Sequence, residues 1–381
     1  MNVAKRAISH LGLVGTWRPK KISNFSKQLY RLYSCFIFTI LTLSAIYILV
    51  YIFKFSTNVN SLTESLLVLF GILGAILKML LFIIRQEEII SVDRMLTEKI
   101  CLPRDKIEEG ILAESENTRR KQSNALMIGC YFFSICLCLN PLISSKKLAL
   151  PFPSIWIPLN FESTRYYQFI YLYQVIVLLA TTIILCCCDL YFSELMEKIS
   201  AEIDVFKHRL YILPQQISTN YKLEINQYES TIIKDWLHFH LHLIKMIHDL
   251  NNSFNLLCVV QFFISTAVLG LAIFNLAKAE LFTTHFWYIC VYLLDFTWEI
   301  FQFCYYGEKL IVKSSEIVNA CYNVNWNKLS KNSKMSLYII MIRASKPMKV
   351  KGGSMITMSI GSFVAILKVA YSIFNVLREN R

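Results

Sequence analysis

Apolar residues along this chain fall in long unbroken runs, not at the alternate or every-third positions typical of half-buried elements. Seven runs stand out: Leu32–Phe53, Leu62–Ile84, Ala125–Ile143, Phe169–Leu190, Leu256–Ala277, His285–Tyr306 and Met355–Leu377. Each approaches the roughly 20 residues that a helix needs to cross about 30 Å of hydrocarbon. The third is short and ends at Pro141, and the sixth carries Asp295 and Glu299. The pattern predicts an all-α, seven-transmembrane helical membrane protein. Between the fourth and fifth runs, Ile232, Trp236, Phe239, Leu243, Ile247 and Leu250 recur at steps of three and four, one apolar face of a helix. Two settings suit that face: a helix lying on a membrane surface, or a packed intracellular domain.

Composition agrees with a membrane protein. Of 381 residues, 55% are hydrophobic and only 17% charged, against about 25% charged in a typical soluble domain. The formal charge of +13 raises the question of nucleic acid. Such a partner calls for basic residues gathered with aromatics on one polar face. Here the basic residues lie between the apolar runs, and the runs hold most of the aromatics, so no nucleic acid is expected. The first run begins behind a polar leader, which argues against a cleavable signal peptide.

Charge instead predicts topology. The leader holds seven Lys and Arg, segment 85–124 eight, 191–255 six and 307–353 nine. The alternate segments are poor: one in 54–61, three in 144–168, one in 278–284 and two after the last span. Basic loops stay in the cytoplasm, so the N-terminus is expected there and, with seven spans, the C-terminus outside. G-protein-coupled seven-helix receptors run the other way. They also carry proline kinks in several spans, whereas Pro141 is the only proline in any of these runs. None of the 12 cysteines falls in a predicted outer loop, so the outer disulfide common in such receptors has no partners.

Candidate chemistry is sparse. His238 and His242 share a helical face with zinc-ligand spacing, and His240 and His248 lie nearby. No carboxylate completes a motif, so no metal site is expected. Cys186, Cys187 and Cys188 precede Asp189 at the inner end of the fourth span, where palmitoylation and plain apolar packing compete. The sequons at Asn24 and Asn251 fall on the cytoplasmic side and are expected to be unmodified. No phosphate loop, nucleophile elbow or His-Glu-x-x-His is present, so neither an enzyme nor a cofactor is indicated.

Charges inside spans are costly and mark function by default. Lys78, Asp295, Glu299 and Lys368 are of this kind, with mutual pairing or snorkelling as the plainer reading. In the seventh span Ser354, Thr357, Gly361, Ala365, Lys368, Ser372, Asn375 and Glu379 form one small or polar stripe. Such a stripe suits close helix packing or a wet surface. Its continuity with charge favours water, as in a pore wall built from several copies of the helix.

From Tyr306 to Leu377 the chain resembles the insect odorant receptors. The resemblance rests on Gly307-Glu308, then Ala320, Tyr322 and Trp326, then Ile342-Arg343-Ala344-Ser345-Lys346-Pro347 and Gly352 or Gly353. Ser359–Phe363, Ile366-Leu367-Lys368 and Tyr371-Ser372-Ile373-Phe374 complete the series. It implies a tuning subunit of a non-selective cation channel, a heterotetramer with the odorant receptor co-receptor, in the plasma membrane of olfactory sensory neurons. The gustatory receptors' Thr-Tyr and Gln-Phe ending is missing, though a gustatory-type homomeric channel and a G-protein-coupled receptor remain the rivals. The implied organisation is a cytoplasmic segment 1–31, six spans with a pocket over 32–306, an anchor helix region over 307–353 and a pore-lining helix over 354–381. The resemblance also places a pocket for a small volatile odorant in the outer halves of the second, third, fourth and sixth spans. Leu66, Phe70, Leu73, Phe133, Leu137, Tyr173, Val177, Tyr288 and Tyr292 are the candidates there. The gate falls at Val376, with Ser372 and Asn375 below it and Glu379 and Asn380 at the mouth; a carboxylate at Glu379 departs from the co-receptor's amide.

Overall fold

The computed structural model describes residues 3–18, 23–55, 59–144, 150–152, 164–219, 225–353 and 356–379. Among these are ten α-helices and one two-stranded ribbon. In chain order they are α1 (Val3–Leu13), α2 (Asn24–Phe55), α3 (Val59–Ile84), α4 (Gln86–Met95), α5 (Lys106–Ser144), α6 (Thr164–Thr219), α7 (Ile225–Lys278), α8 (Thr284–Tyr322), α9 (Lys331–Ala344), β1 (Lys351–Gly352), β2 (Ile356–Thr357) and α10 (Ile360–Glu379). The first six apolar runs lie in helices α2, α3, α5, α6, α7 and α8, and the seventh lies in α10 from Ile360 onward. Six of these are long and apolar enough to cross a membrane; α8, which carries Asp295, Glu299 and Gln302, falls short on hydropathy. Its charges are tolerated because they turn inward, as described below.

Several helices continue far past the bilayer thickness. α6 has 56 residues and α7 has 54; at 1.5 Å per residue the first is about 84 Å long. Neither has a glycine or proline between its apolar run and its polar extension until Pro214, so nothing interrupts the helical ladder. The extensions pack together at the end of the bundle where the basic segments gather. The 228–250 stretch buries Trp236, Phe239, Leu243, Ile247 and Leu250 inside the protein, so this face packs against the rest of the chain and not on a membrane surface. Phe239 meets Phe206 of α6 edge-on at 5.5 Å.

Ion pairs stitch this basic end. Arg209 on α6 clamps Glu108 of α5 through Nε and Nη2 at 2.8 Å each, Arg119 reaches Glu194 at 2.8 Å, and Lys309 reaches Glu197 at 2.7 Å. Burial pushes the nearby Glu202 carboxyl up to about 8, opposed by the Arg209 charge. The leader joins the same core. Trp17 packs 5.4 Å from Tyr191, and Phe82, Phe254, Phe192 and Phe303 continue the aromatic stack. Tyr30 Oη donates to the carbonyls of Gly12 and Trp17 at 3.1 and 2.8 Å.

The ribbon was not legible in the sequence, where helical periodicity runs back to Ser354. β1 pairs antiparallel with β2, Lys351 opposite Thr357. Thr357 therefore belongs to a strand, and α10 begins only at Ile360; Ser354 and Met355 lie outside the described residues. Asn251 of α7 fixes the ribbon, donating to the Lys349 carbonyl at 2.9 Å and accepting from the Lys351 N–H at 2.8 Å. Its side chain is thus engaged in protein contacts.

Candidate ligand cavity and gate helix

α3, α5, α6 and α8 enclose a cavity of about 800 Å³, its opening included. These are the second, third, fourth and sixth spans. α3 contributes Val68, Gly71 and Ile72, α5 Phe133 and Leu137, and α8 Tyr288 and Tyr292. Aromatic contacts set the α8 wall: Tyr292 lies 5.4 Å from Phe133, 6.3 Å from Tyr288 and 5.0 Å from Phe296. The Tyr292 hydroxyl donates to the Leu67 carbonyl at 3.0 Å, which spares a buried phenol an unmet bond. Pro151 also lines the cavity. Its neighbour Phe152 is held by Gln174, whose amide oxygen accepts from the Phe152 N–H at 3.1 Å and whose amide N–H donates to the Phe152 carbonyl at 3.0 Å.

Four of the nine pocket candidates line this cavity: Phe133, Leu137, Tyr288 and Tyr292. Leu66, Phe70 and Leu73 lie on the neighbouring face of α3, packed against the core. On α6 the cavity takes Leu178, Thr181 and Thr182, whereas Val177 is buried in the core and Tyr173 faces α2, its hydroxyl 2.5 Å from that of Ser44. An all-round apolar span gives no periodic signal for which face meets a cavity, so the helices were legible and the faces were not.

The floor is charged. Lys78 Nζ lies 2.6 and 2.7 Å from the two Asp189 oxygens and 2.7 Å from Glu299 Oε1. Three helices thus meet at one buried ammonium, the mutual pairing expected of intramembrane charges. The sequence had marked Lys78, Asp295 and Glu299, but Asp189, read only as a neighbour of the cysteines, is the chief partner. Asp189, Asp295, Glu299 and Gln302 all line the cavity. Gln302 also borders a smaller hollow with Arg119, Gln122, Glu194 and Tyr306, so polar groups continue from the floor towards the basic end.

Cys186, Cys187 and Cys188 are all buried, which fits packing and leaves no thiol presented to an acyl donor. Of the histidines, His242 Nε2 lies 3.1 Å from the Met95 carbonyl oxygen and His248 Nε2 3.0 Å from Asn252 Nδ2. His240 is buried against Phe206 with both ring nitrogens unpartnered. Burial, with Arg343 nearby, pushes its imidazole down to about 4.

α10 packs on α7 and α8 by one face only. Ile366 and Ala370 are buried, while Gly361, Ala365, Lys368 and Ser372 of the small or polar stripe are exposed. Asn375 is half-buried and Val376 exposed; Asn380 and the Glu379 side chain lie outside the described residues. The landmark pair Gly307-Glu308 anchors this helix. Glu308 Oε2 accepts the Ile360 N–H at 3.1 Å, satisfying an orphan donor at the α10 N-terminus. A side chain at Gly307 would collide with the Met358 backbone and side chain, so only glycine permits the approach.

Long apolar helices bundled around an internal cavity define a helical membrane protein, and comparison specifies which kind. The sequence profile described as 7tm Odorant receptor matches residues 58–371, so the chain belongs to that family. It is 25% identical to the odorant receptor coreceptor of Aedes aegypti over 145 residues, 38% of this chain and 30% of that protein. The chain therefore spans about a third of the length of the co-receptors it matches. It is 26% identical to odorant receptor Or2 of Anopheles gambiae over 65% of each chain, and 23% identical to odorant receptor 2a of Drosophila melanogaster over 96% of this chain and 93% of that one. Its fold matches the insect olfactory receptor OR5 of Machilis hrabei solved in complex with eugenol, with a TM-score of 0.85 and 16% identity over 99% of this chain and 98% of that one.

Proposed function

We propose that the protein is the odorant-binding subunit of a ligand-gated, non-selective cation channel, assembled with the family's co-receptor as a heterotetramer. The cavity between α3, α5, α6 and α8 carries this reading, being apolar, aromatic and supplied with a few polar groups, as a small-molecule site should be. The OR5 receptor of the same fold was solved with eugenol, a small phenol, which supports a volatile ligand here. Such a ligand opens the channel only through its preference for the open state; a 100-fold shift needs about 2.7 kcal/mol of differential binding.

The basic end faces the cytoplasm in this reading, with the C-terminus outside, in the plasma membrane of olfactory sensory neurons. α9 supports assembly at that end. Met335, Tyr338, Ile339 and Ile342 form an exposed apolar stripe at steps of three and four on a helix outside the spans. A soluble surface of that kind marks a protein interface. The exposed stripe of α10 supports a pore wall completed by other subunits, with Val376 at the gate and Glu379 and Asn380 at its mouth.

Co-expression with the co-receptor in oocytes tests the reading. Odorant-evoked cation currents should survive G-protein blockade; complete dependence on G protein rejects the channel. Ile339→Glu should reduce recovery of the co-receptor with this chain, and Glu379→Gln should change permeability ratios. A C-terminal reporter found inside the cell contradicts the orientation.

A further inference from the structure

At the cavity floor carboxyl groups outnumber ammonium groups among the described residues. Asp189 and Glu299 share the single ammonium of Lys78. Asp295, one helical turn before Glu299 on the same wall, forms no ion pair or hydrogen bond with the described residues. Among the described residues no Lys or Arg lines the cavity, and Arg119 and Lys198, at this end of α5 and α6, are engaged elsewhere, Arg119 with Glu194 and Lys198 with Asp93 and Glu194. Among the described residues, three carboxyl groups therefore border this cavity and one ammonium sits at its floor. Asp295 is half-buried, and a carboxylate partly withdrawn from water without a partner is costly, a cost that a cation brought in from outside removes.

A second observation, on the α6 wall, points to a hydrogen-bonding guest. Thr181 of α6 lines the cavity and is only 6% exposed, and its hydroxyl has no hydrogen-bond partner among the described residues. Threonines elsewhere in these helices, such as Thr182, donate to the carbonyl four residues back. Thr181 does not, and a buried hydroxyl with no partner is an exception that calls for one. The rest of the lining decides what kind of cation fits. It is dominated by apolar side chains and by the rings of Phe133, Tyr288 and Tyr292, which give a hydrated metal ion nothing to bind. They suit an organic ammonium, whose body packs against apolar walls while aromatic faces attract its charge.

We propose that the ligand of this cavity is a small protonated amine on an apolar or aromatic body, its N–H donors shared between the Asp295 carboxylate and the Thr181 hydroxyl. The inference rests on the reading of the cavity as an odorant site and names the ligand class within it.

The test compares three molecules of one skeleton, 2-phenylethylamine, 2-phenylethanol and ethylbenzene, on the full chain co-expressed with the co-receptor, alongside a broad panel of neutral odorants. The amine should open the channel at a concentration at least about tenfold below the alcohol, a difference of about 1.4 kcal/mol. Asp295→Asn should bring the amine-to-alcohol ratio close to one, and Asp295→Glu should retain the preference. The wild-type ratio decides by itself if a variant fails to reach the surface. Equal potency of amine and alcohol, or a ratio unchanged in Asp295→Asn, overturns the proposal. Neutral odorants that open the channel while amines do not overturn it and leave the receptor reading standing. A channel that no odorant opens ends both.

Discussion

Lys78→Met isolates the electrostatic contribution of the cavity floor, because the substitution keeps much of the side-chain volume and removes only the charge. Lys78 is 1% exposed, and its ammonium makes three contacts of 2.6 to 2.7 Å with two carboxylates from different helices. Unit charges about 3 Å apart attract by roughly 5 kcal/mol at an effective dielectric near 20. Two such attractions offset the several kcal/mol lost in desolvating each ion. Removing one partner of a buried set leaves the others uncompensated, at about 3–5 kcal/mol, a large share of the 5–15 kcal/mol by which a domain is folded. For a chain of this size that corresponds to a fall in melting temperature on the order of 5–10 °C. Fluorescence-detected size exclusion of the tagged protein after a heating series reads the shift. The triple variant Lys78→Met, Asp189→Asn, Glu299→Gln should recover most of it, since replacing a whole buried ion set is far milder than breaking it. If Lys78→Met melts within ~1 °C of the parent, the bridge does not hold the three helices together.

Three further outcomes follow from the geometry. Gly307→Val should displace Met358 and the start of α10, removing odorant-evoked current while leaving surface expression measurable by an external tag. Gln174→Leu removes both bonds to Phe152 and should raise the half-maximal odorant concentration by ~3–10-fold, about one hydrogen bond's worth. The packed basic end should show two opposed pH limbs. His240 is held below its ordinary 6.5, near 4, so its contribution is present above pH 6.5 and is lost as pH falls towards 4. Glu202 is held above its ordinary 4.5, near 8, so its contribution is present below pH 4.5 and is lost as pH rises towards 8. His240→Phe should flatten the acid limb of a melting-temperature profile and Glu202→Gln the alkaline one; parallel profiles would contradict both assignments.

The spans were readable because a helix in lipid is apolar over most of its circumference, and that signal survives without any knowledge of neighbours. The same uniformity hides the cavity. Nothing in the run around Leu66–Leu73 distinguishes the face of Val68 and Ile72, which lines it, from that of Phe70, which does not. Long-range partners are hidden for another reason: Lys78 meets residues 111 and 221 positions away, and charge alone gave no way to prefer Asp189 over the Asp295 that it leaves free. The ribbon escaped notice because two residues per strand leave no alternation to detect, and because Ser354, Thr357 and Gly361 happen to continue a helical spacing across a turn.

The placement of α8 gives the charged floor a mechanical consequence. One wall of the cavity is Tyr288, Tyr292, Asp295 and Glu299, and the residues that hold the start of α10 are Gly307 and Glu308 of the same helix. Glu299 and Gly307 are eight residues apart, about 12 Å of uninterrupted helix, with no glycine or proline between them to absorb a displacement. α10 packs chiefly on α7 and is joined to α8 by this attachment, so a shift of α8 acts on it at its N-terminal end. A guest that neutralises the floor changes the attraction of Asp189 and Lys78 for α8, and hence the equilibrium position of that helix. Affinity and gating would then depend on the same carboxylates. Neutralising Asp295 should therefore alter the maximal current to an amine as well as the concentration at which it acts, whereas a change at Phe133, which touches the ligand space but carries no charge, should move the concentration alone.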